Sequence, residues 1–476
     1  MPDSLRDAWD ALLGIEHLQA WLVGAWVLYV LWVGGWIVLQ KREPAATISW
    51  LLGLALLPYL GFLVYYFFGP QRIRRQRMRR ERSRATLPRG GDPAEADCRE
   101  LAQLGRATTG LAPSSATDVR LLSDGEAKYE ALLADIAAAG RYIHLEYYIW
   151  HEDGIGTRMR DALVERARAG VAVRLLVDAV GASSCDAAFF RPLVDAGGEF
   201  AWFHPLRLVR FWKRPWLNLR NHRKIVVIDG AVAFTGGMNV TDDQDERVNR
   251  QAYRDLHLRL TGPVVEVLQA VFMDDWAYAT GKVPPVPAPD AGGDGPIKAQ
   301  VLTSGPDNQW EAIHRQHVGA IHAARERVWL VTPYFVPGEA GMMALTSAAL
   351  GGLDVRLVIP KMSDSRVVTW ATRSYFDELL AAGVKIYEYG PRLMHSKALL
   401  VDDDLALIGS ANFDHRSFRL NFEVQVLFRD AGIAAELARL VERDLAHAPR
   451  VHAERNRPLF RDRLPEALAR LVSPLL

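Results

Sequence analysis

From residue 140 onward the chain states one pattern twice, and this duplication constrains its fold more than any other feature. The first statement runs RYIHLEYYIW, VAVRLLVDA, LVDAGGEFAWF and NHRKIVVIDGAVAFTGGMN; the second runs RVWLVTPYFV, LDVRLVIPK, LLAAGVKIYEY and MHSKALLVDDDLALIGSAN. Each half offers short β-branched runs flanked by Ala/Leu-rich stretches of helical period, such as RMRDALVERARAG and SYFDELLAAG. Strands alternating with helices argue for an α/β sheet covered by helices, and the duplication argues for two such lobes facing each other. Between them KVPPVPAPDAGGDGP, residues 282–296, reads as a Pro/Gly linker.

Within each half lies a constellation with identical internal spacing: His222-x-Lys224, Asp229 and Gly236-Gly237-x-Asn239, then His395-x-Lys397, Asp402 and Gly409-Ser410-x-Asn412. On an extended strand a His and a Lys two apart share one face and meet one ligand. Asp229 and Asp402 count with the two histidines and lysines as candidate catalytic residues, and each opens a turn whose return strand brings Asn239 or Asn412 back to the His/Lys end. Two facing halves therefore supply two imidazoles, two ammonium groups and two amides, the set that phosphoryl-type transfer uses. One neutral imidazole attacks phosphorus and the other protonates the leaving alcohol, while the cations and amides hold the phosphate oxygens. Lysine on the shared face would repel a metal cation, so neither metal nor other cofactor is implied. Asp255 in YRDLHLRL and Glu423 in NFEVQVLF are candidates to hold the far ring N–H of each histidine.

Charge is unevenly spread. Residues 1–90 hold twelve Lys/Arg against six acids, and the formal total of +1 leaves the rest of the chain at −5. A mildly acidic body is a poor footprint for nucleic acid, whose binders cluster Lys/Arg against phosphates. Residues 18–39 and 45–68 carry no charge over 22 and 24 positions, each enough for a helix to cross the roughly 30 Å bilayer core. Lys41, Arg42, Glu43 and Pro44 between them force a hairpin. The stretch QRIRRQRMRRERSR then holds eight arginines in fourteen residues. The positive-inside bias puts this collar, and all that follows, on the cytoplasmic side, where it can meet anionic headgroups.

The His-x-Lys/Asp blocks resemble the paired motifs of the phospholipase D superfamily. Together with HLEYYIWHEDGIG, LRNHRKIVVIDG, GGMNV, TPYFVP, LVSPLL and the two spans, they resemble the bacterial cardiolipin synthases over nearly the whole chain. The resemblance implies a phosphatidyltransferase of the bacterial inner membrane. One phosphatidylglycerol would donate its phosphatidyl group to a histidine, by resemblance His222, and release glycerol; a second would accept it, giving cardiolipin, with His395 as acid and then base. It also implies a hydroxyl contact to phosphate from Ser410, while Gly237 at the matching place offers none. The motifs are less specific for the reaction, so a phospholipase D-type hydrolase or a transferase to another alcohol stays open.

These readings divide the chain into a membrane hairpin (1–70), an Arg-rich collar and linker (71–110), a first lobe (111–281), the Pro/Gly linker (282–296) and a second lobe with C-terminal helices (297–476). The halves differ in one place, where the first carries thirteen extra residues before its histidine, in PLRLVRFWKRPWLNLRN. Phe211, Trp212 and Trp216 interleaved with basic residues suit a bilayer interface beside the active site.

Overall fold

The computed structural model describes residues 18–38, 48, 51–54, 96–205, 218–283 and 293–473. The chain divides into two compact units, residues 1–71 with 212–218, and residues 72–211 with 219–476. In the first, α1 (Leu18–Val38) carries no charge and exposes Trp21, Leu28, Leu31 and Trp32; on its other side Val33 and Ile37 are buried with Leu54. Among the described residues no helix is long and apolar enough to cross a membrane. Most of the second expected span, the arginine collar and the loop holding Phe211, Trp212 and Trp216 lie outside the described residues.

In the second unit the duplication becomes two sheets. The strands are β1 (Ser114–Ala116), β2 (Asp118–Leu122), β3 (Tyr142–Tyr147), β4 (Ala172–Asp178), β5 (Glu199–Phe203), β6 (Ile225–Ile228), β7 (Val232–Gly236), β8 (His257–Thr261), β9 (Ile297–Ser304), β10 (Arg327–Val331), β11 (Asp354–Pro360), β12 (Lys385–Tyr389), β13 (Ala398–Val401), β14 (Leu405–Gly409) and β15 (Glu423–Arg429). One sheet has the order β2-β8-β7-β6-β3-β4-β5 and the other β1-β9-β15-β14-β13-β10-β11-β12. Apart from β1 the two orders match strand for strand. In each, three strands run parallel and the rest antiparallel, so the sheets are mixed.

The strands read as near-continuous apolar runs because both faces are covered. In β3, Ile143, Leu145 and Tyr147 point to an outer core shared with α2 (Gly125–Ala138) and α3 (Gly154–Arg168), while Tyr142 joins an inner core. Asp124 and Asp153 start these helices by accepting from the N–H groups of Ala127 and Gly156, satisfying donors a helix start leaves open. The inner core lies between the sheets and is filled by α4 (Val264–Thr280) and α5 (Ala431–Leu445) together with residues of both lobes, such as Ile225, Val227, Trp329 and Leu400. It locks the lobes into one body. A buried Arg223–Asp275 ion pair strengthens the lock, with Arg223 Nε also donating to the Glu423 carbonyl at 3.1 Å.

The start of the expected first lobe and the end of the linker before it pack on the second lobe. β1 pairs antiparallel with β9, and the helix Ala96–Thr109 buries Leu101 in the second lobe's outer core.

Candidate active site

His222 and Lys224 lie in an extended lead-in to β6, and His395 and Lys397 in the matching lead-in to β13. Each lead-in docks on the other lobe. His222 N donates to the Phe422 carbonyl at 2.9 Å and Phe422 N to the Arg220 carbonyl at 2.8 Å; His395 N donates to Arg254 O at 2.7 Å and Arg254 N to Leu393 O at 2.8 Å. These bridges fix which carboxylate each ring meets, because Phe422 precedes Glu423 and Arg254 precedes Asp255. The His222 Nδ1 lies 2.9 Å from Glu423 Oε2, and the His395 Nδ1 lies 2.6 Å from Asp255 Oδ2. The orientation is crossed, each histidine held by the opposite lobe. With a carboxylate accepting at Nδ1, the His222 ring carries its proton there and keeps Nε2 as a lone pair; His395 Nδ1 faces both Asp255 and the Lys397 ammonium, the latter at 2.9 Å.

All of these groups are buried. Lys224 Nζ donates to the His222 carbonyl at 2.7 Å and lies 5.4 Å from the centre of the Tyr148 ring. Lys397 Nζ donates to the His395 carbonyl and lies 4.0 Å from Asp255 Oδ2. Burial pushes the Lys224 ammonium down to about 7 against the pull of Glu423, and Lys397 in the opposite lobe adds to the fall. Lys397 is lowered by burial too. Burial holds His222 at about 4 although Glu423 opposes it; His395 is lowered by burial and then by Lys397. Conversely, burial pushes Glu423 and Asp255 up, and the cations around them more than reverse it, so both remain carboxylates. A site with two crowded ammonium groups and two neutral rings is poised for an anion, whose charge offsets what burial costs the lysines.

Asn239 follows β7 and is pinned through its backbone, its carbonyl accepting from Lys128 Nζ and Tyr129 Oη at 2.9 Å each, while its Oδ1 accepts from Ile149 N at 3.1 Å. Asn412 follows β14, with a buried Oδ1 that has no hydrogen-bond partner.

Three sequence expectations need correction. Asp229 and Asp402 sit in the three-residue loops at the far ends of the β6–β7 and β13–β14 hairpins, in left-handed backbone with φ of 54° and 51°. Five residues of extended chain put Asp229 roughly 16 Å from Lys224. Its carboxylate accepts from the N–H groups of Gly140, Arg141 and Tyr142, and that of Asp402 from Arg325, Glu326 and Arg327. They tie each hairpin to the start of the neighbouring strand. The Ser410 hydroxyl, expected on phosphate, instead donates to Glu423 Oε2 at 2.5 Å. Gly237 holds the matching place in the first lobe, where a Cβ would come within 2.1 Å of Asp255 Oδ1.

Sequence reasoning missed several partners. Gln244 Nε2 donates to Asp255 Oδ2 at 3.3 Å, Asn421 Nδ2 to Glu423 Oε1 at 3.2 Å, and the Tyr148 ring stands edge-on to His222 at 4.8 Å. Asn421 lies two residues before Glu423 and was the most findable. Gln244 and Tyr148 reach the site from separate elements and left no local signal.

Two lobes of one topology, presenting crossed His–carboxylate pairs and buried lysines to a common site, define a duplicated phosphoryl-transfer fold. A family model described as cardiolipin synthase, PLD-like domain, matches residues 132–276 and 318–445, and one described as phospholipase D-nuclease N-terminal matches residues 20–70. Cardiolipin synthase 2 of Bacillus anthracis is 40% identical over 466 residues, covering 93% of this chain and 89% of its own. Cardiolipin synthase of Geobacillus sp. (strain WCH70) is 39% identical, covering 99% and 96%, and cardiolipin synthase A of Pseudomonas fluorescens 37%, covering 92% and 94%. The chain belongs to the cardiolipin synthase family of phospholipase D-like enzymes. The phosphatidylserine synthase structure from Haemophilus influenzae has the same fold, with a TM-score of 0.60 at 14% identity over 79% of this chain and all of that one.

Proposed function

We propose that the protein is a cardiolipin synthase that moves a phosphatidyl group from one phosphatidylglycerol to another through a phosphohistidine. The observation that carries this reading is the crossed pair of carboxylate-held imidazoles with a buried lysine beside each. Nε2 of one ring attacks phosphorus; the P–O bond to the glycerol headgroup breaks, and that oxygen takes a proton from the other ring. Glycerol leaves. A hydroxyl of the second phosphatidylglycerol then returns a proton to that ring and attacks phosphorus, and the P–N bond breaks to give cardiolipin. The resemblance gives the attack to His222. Lys224, Lys397 and the Asn239 and Asn412 amides hold the non-bridging oxygens, whose charge builds in the transition state. Burial keeps the attacking ring neutral, and the bound phosphodiester helps its partner hold the proton that it donates.

The same reading sets residues 1–70 in the bilayer as a hairpin, with the collar and lobes on its cytoplasmic face. It is supported by the charge-free runs, by the apolar side chains α1 exposes, and by the eight arginines that follow. Phe211, Trp212 and Trp216 then dip into the headgroup layer; replacing all three with Ser should slow turnover on bilayer substrate, and unchanged turnover would remove that part. The central test supplies purified protein with labelled phosphatidylglycerol. Cardiolipin, glycerol and an acid-labile phosphohistidine are expected, and His222→Ala and His395→Ala should each abolish cardiolipin. Phosphatidic acid as the sole lipid product would make the enzyme a hydrolase instead.

A further inference from the structure

Arg220, His222 and Lys224 alternate along the extended lead-in to β6 and so share one side of it. Arg223 turns the other way, into its ion pair with Asp275. Lys224 and His222 have their roles; Arg220 does not. Its side chain is 95% buried, since the residue is only 5% exposed, yet Nη1 has no hydrogen-bond partner. A buried guanidinium with an open donor is costly unless something anionic fills the place. The groups that act on it are Asp178, Tyr148 and a second cation, Arg416, from the second lobe. The Asp178 carboxylate is already engaged by the N–H groups of Val180, Gly181 and Asn221, at 2.9, 3.0 and 2.9 Å. Tyr148 joins this corner to the reaction centre: its ring stands edge-on to His222, and its hydroxyl feels both arginines.

The second lobe has no counterpart. One step back from His395 along the same alternation stands Leu393. The two lobes contribute matching histidines and lysines to the site, each histidine held by a carboxylate of the other lobe. A cation on one lead-in only suits a feature by which the competing acceptors differ. Water and glycerol carry no charge, whereas a phosphatidylglycerol acceptor brings its own phosphodiester, a glycerol unit away from the reacting phosphorus.

We propose that Arg220 is an anion subsite beside the reacting phosphate and that its ligand is the phosphodiester of the acceptor lipid, which becomes the second phosphate of the product. This rests on the transferase reading above and adds to it the means by which a lipid alcohol outcompetes water and glycerol.

The test separates the acceptor step from the rest. Incorporation of labelled glycerol into phosphatidylglycerol needs the donor site, the phosphohistidine and a neutral acceptor; cardiolipin formation needs the charged acceptor too. With full-length Arg220→Gln protein in mixed micelles, cardiolipin formation should fall roughly 10- to 100-fold, the range for losing a charged hydrogen bond, and glycerol exchange should stay within about twofold. Arg220→Lys, which keeps the charge but loses the fork, should recover part of the loss. Cardiolipin formation unchanged in Arg220→Gln would overturn the proposal. So would a parallel fall in both reactions, which would make Arg220 a support of the donor site or of the fold. A wild-type protein that performs neither reaction would instead overturn the transferase reading, and this subsite with it.

Discussion

The crossed carboxylates make a quantitative prediction for Glu423→Gln, a change that keeps the shape and removes the charge. Glu423 is fully buried; its Oε2 receives His222 Nδ1 at 2.9 Å and the Ser410 hydroxyl at 2.5 Å, and its Oε1 receives Asn421 Nδ2 at 3.2 Å. An amide satisfies all three only if Asn421 turns over. If its oxygen takes the Oε2 place, its NH₂ meets the Asn421 NH₂ donor to donor until Asn421 presents its unpartnered Oδ1 instead. If its nitrogen takes that place, it donates to Nδ1, forcing the ring proton onto Nε2 and blocking attack. The lost charge-assisted bond is worth about 1.5–3 kcal/mol, so kcat/KM should fall roughly 10- to 150-fold, and further if the tautomer inverts. Glu423 raises the affinity of His222 for its proton, so removing it lowers that affinity, and the acid limb of the rate profile governed by this ring should move to lower pH. Cardiolipin formation from labelled phosphatidylglycerol across a pH series, with circular dichroism to verify folding, measures both effects. A folded Glu423→Gln protein within twofold of wild-type kcat/KM, with its acid limb unmoved, would refute the argument.

Asp229→Ala and Asp402→Ala should each cost roughly 1–3 kcal/mol of stability in denaturant titrations, through lost backbone partners and a strained left-handed residue, while the folded protein keeps its kcat; a large kcat loss without unfolding would return these residues to the catalytic set. Gly237→Ala places a methyl group against Asp255 and should lower kcat about tenfold or more by shifting His395, whereas Ser410→Ala, which removes one donor to Glu423, should cost less. In the free enzyme Lys224 loses its proton as pH rises through about 7, so kcat/KM should fall above that pH, and Lys224→Arg, which does not titrate there, should flatten that limb whatever its absolute rate. His222, depressed to about 4 from 6.5, is protonated in the unfolded chain before the folded one, so its contribution to stability is present above 6.5 and lost as pH falls through 4; thermal melts over that window should show the decline, less steep in His222→Asn.

The duplication in the sequence translated directly into two sheets with one strand order, because apolar runs of strand length and their helical flanks are local properties, repeated wherever the residues repeat. The His-x-Lys alternation and the hairpin returning to Asn239 and Asn412 were legible for the same reason. Asp229 and Asp402 misled because sequence spacing records that a residue recurs, and it recurs equally for a turn that must be tied down and for a group that reacts. Ser410 likewise looked like a phosphate ligand until its carboxylate neighbour across the hairpin was in view. Likewise, nothing in residues 96–116 announced that they would pack on the second lobe, since their partners lie far along the chain.

What the residues alone determined was the inventory: two imidazoles, two ammonium groups and two amides on matching strands, with charge-free segments ahead of them. Which carboxylate serves which ring was decided only when the lobes docked, across sequence separations of 201 and 140 residues. That pairing follows from the shared inner core and the backbone bridges at Phe422 and Arg254, and these depend on how two surfaces fit, a relation that no periodicity within either half encodes.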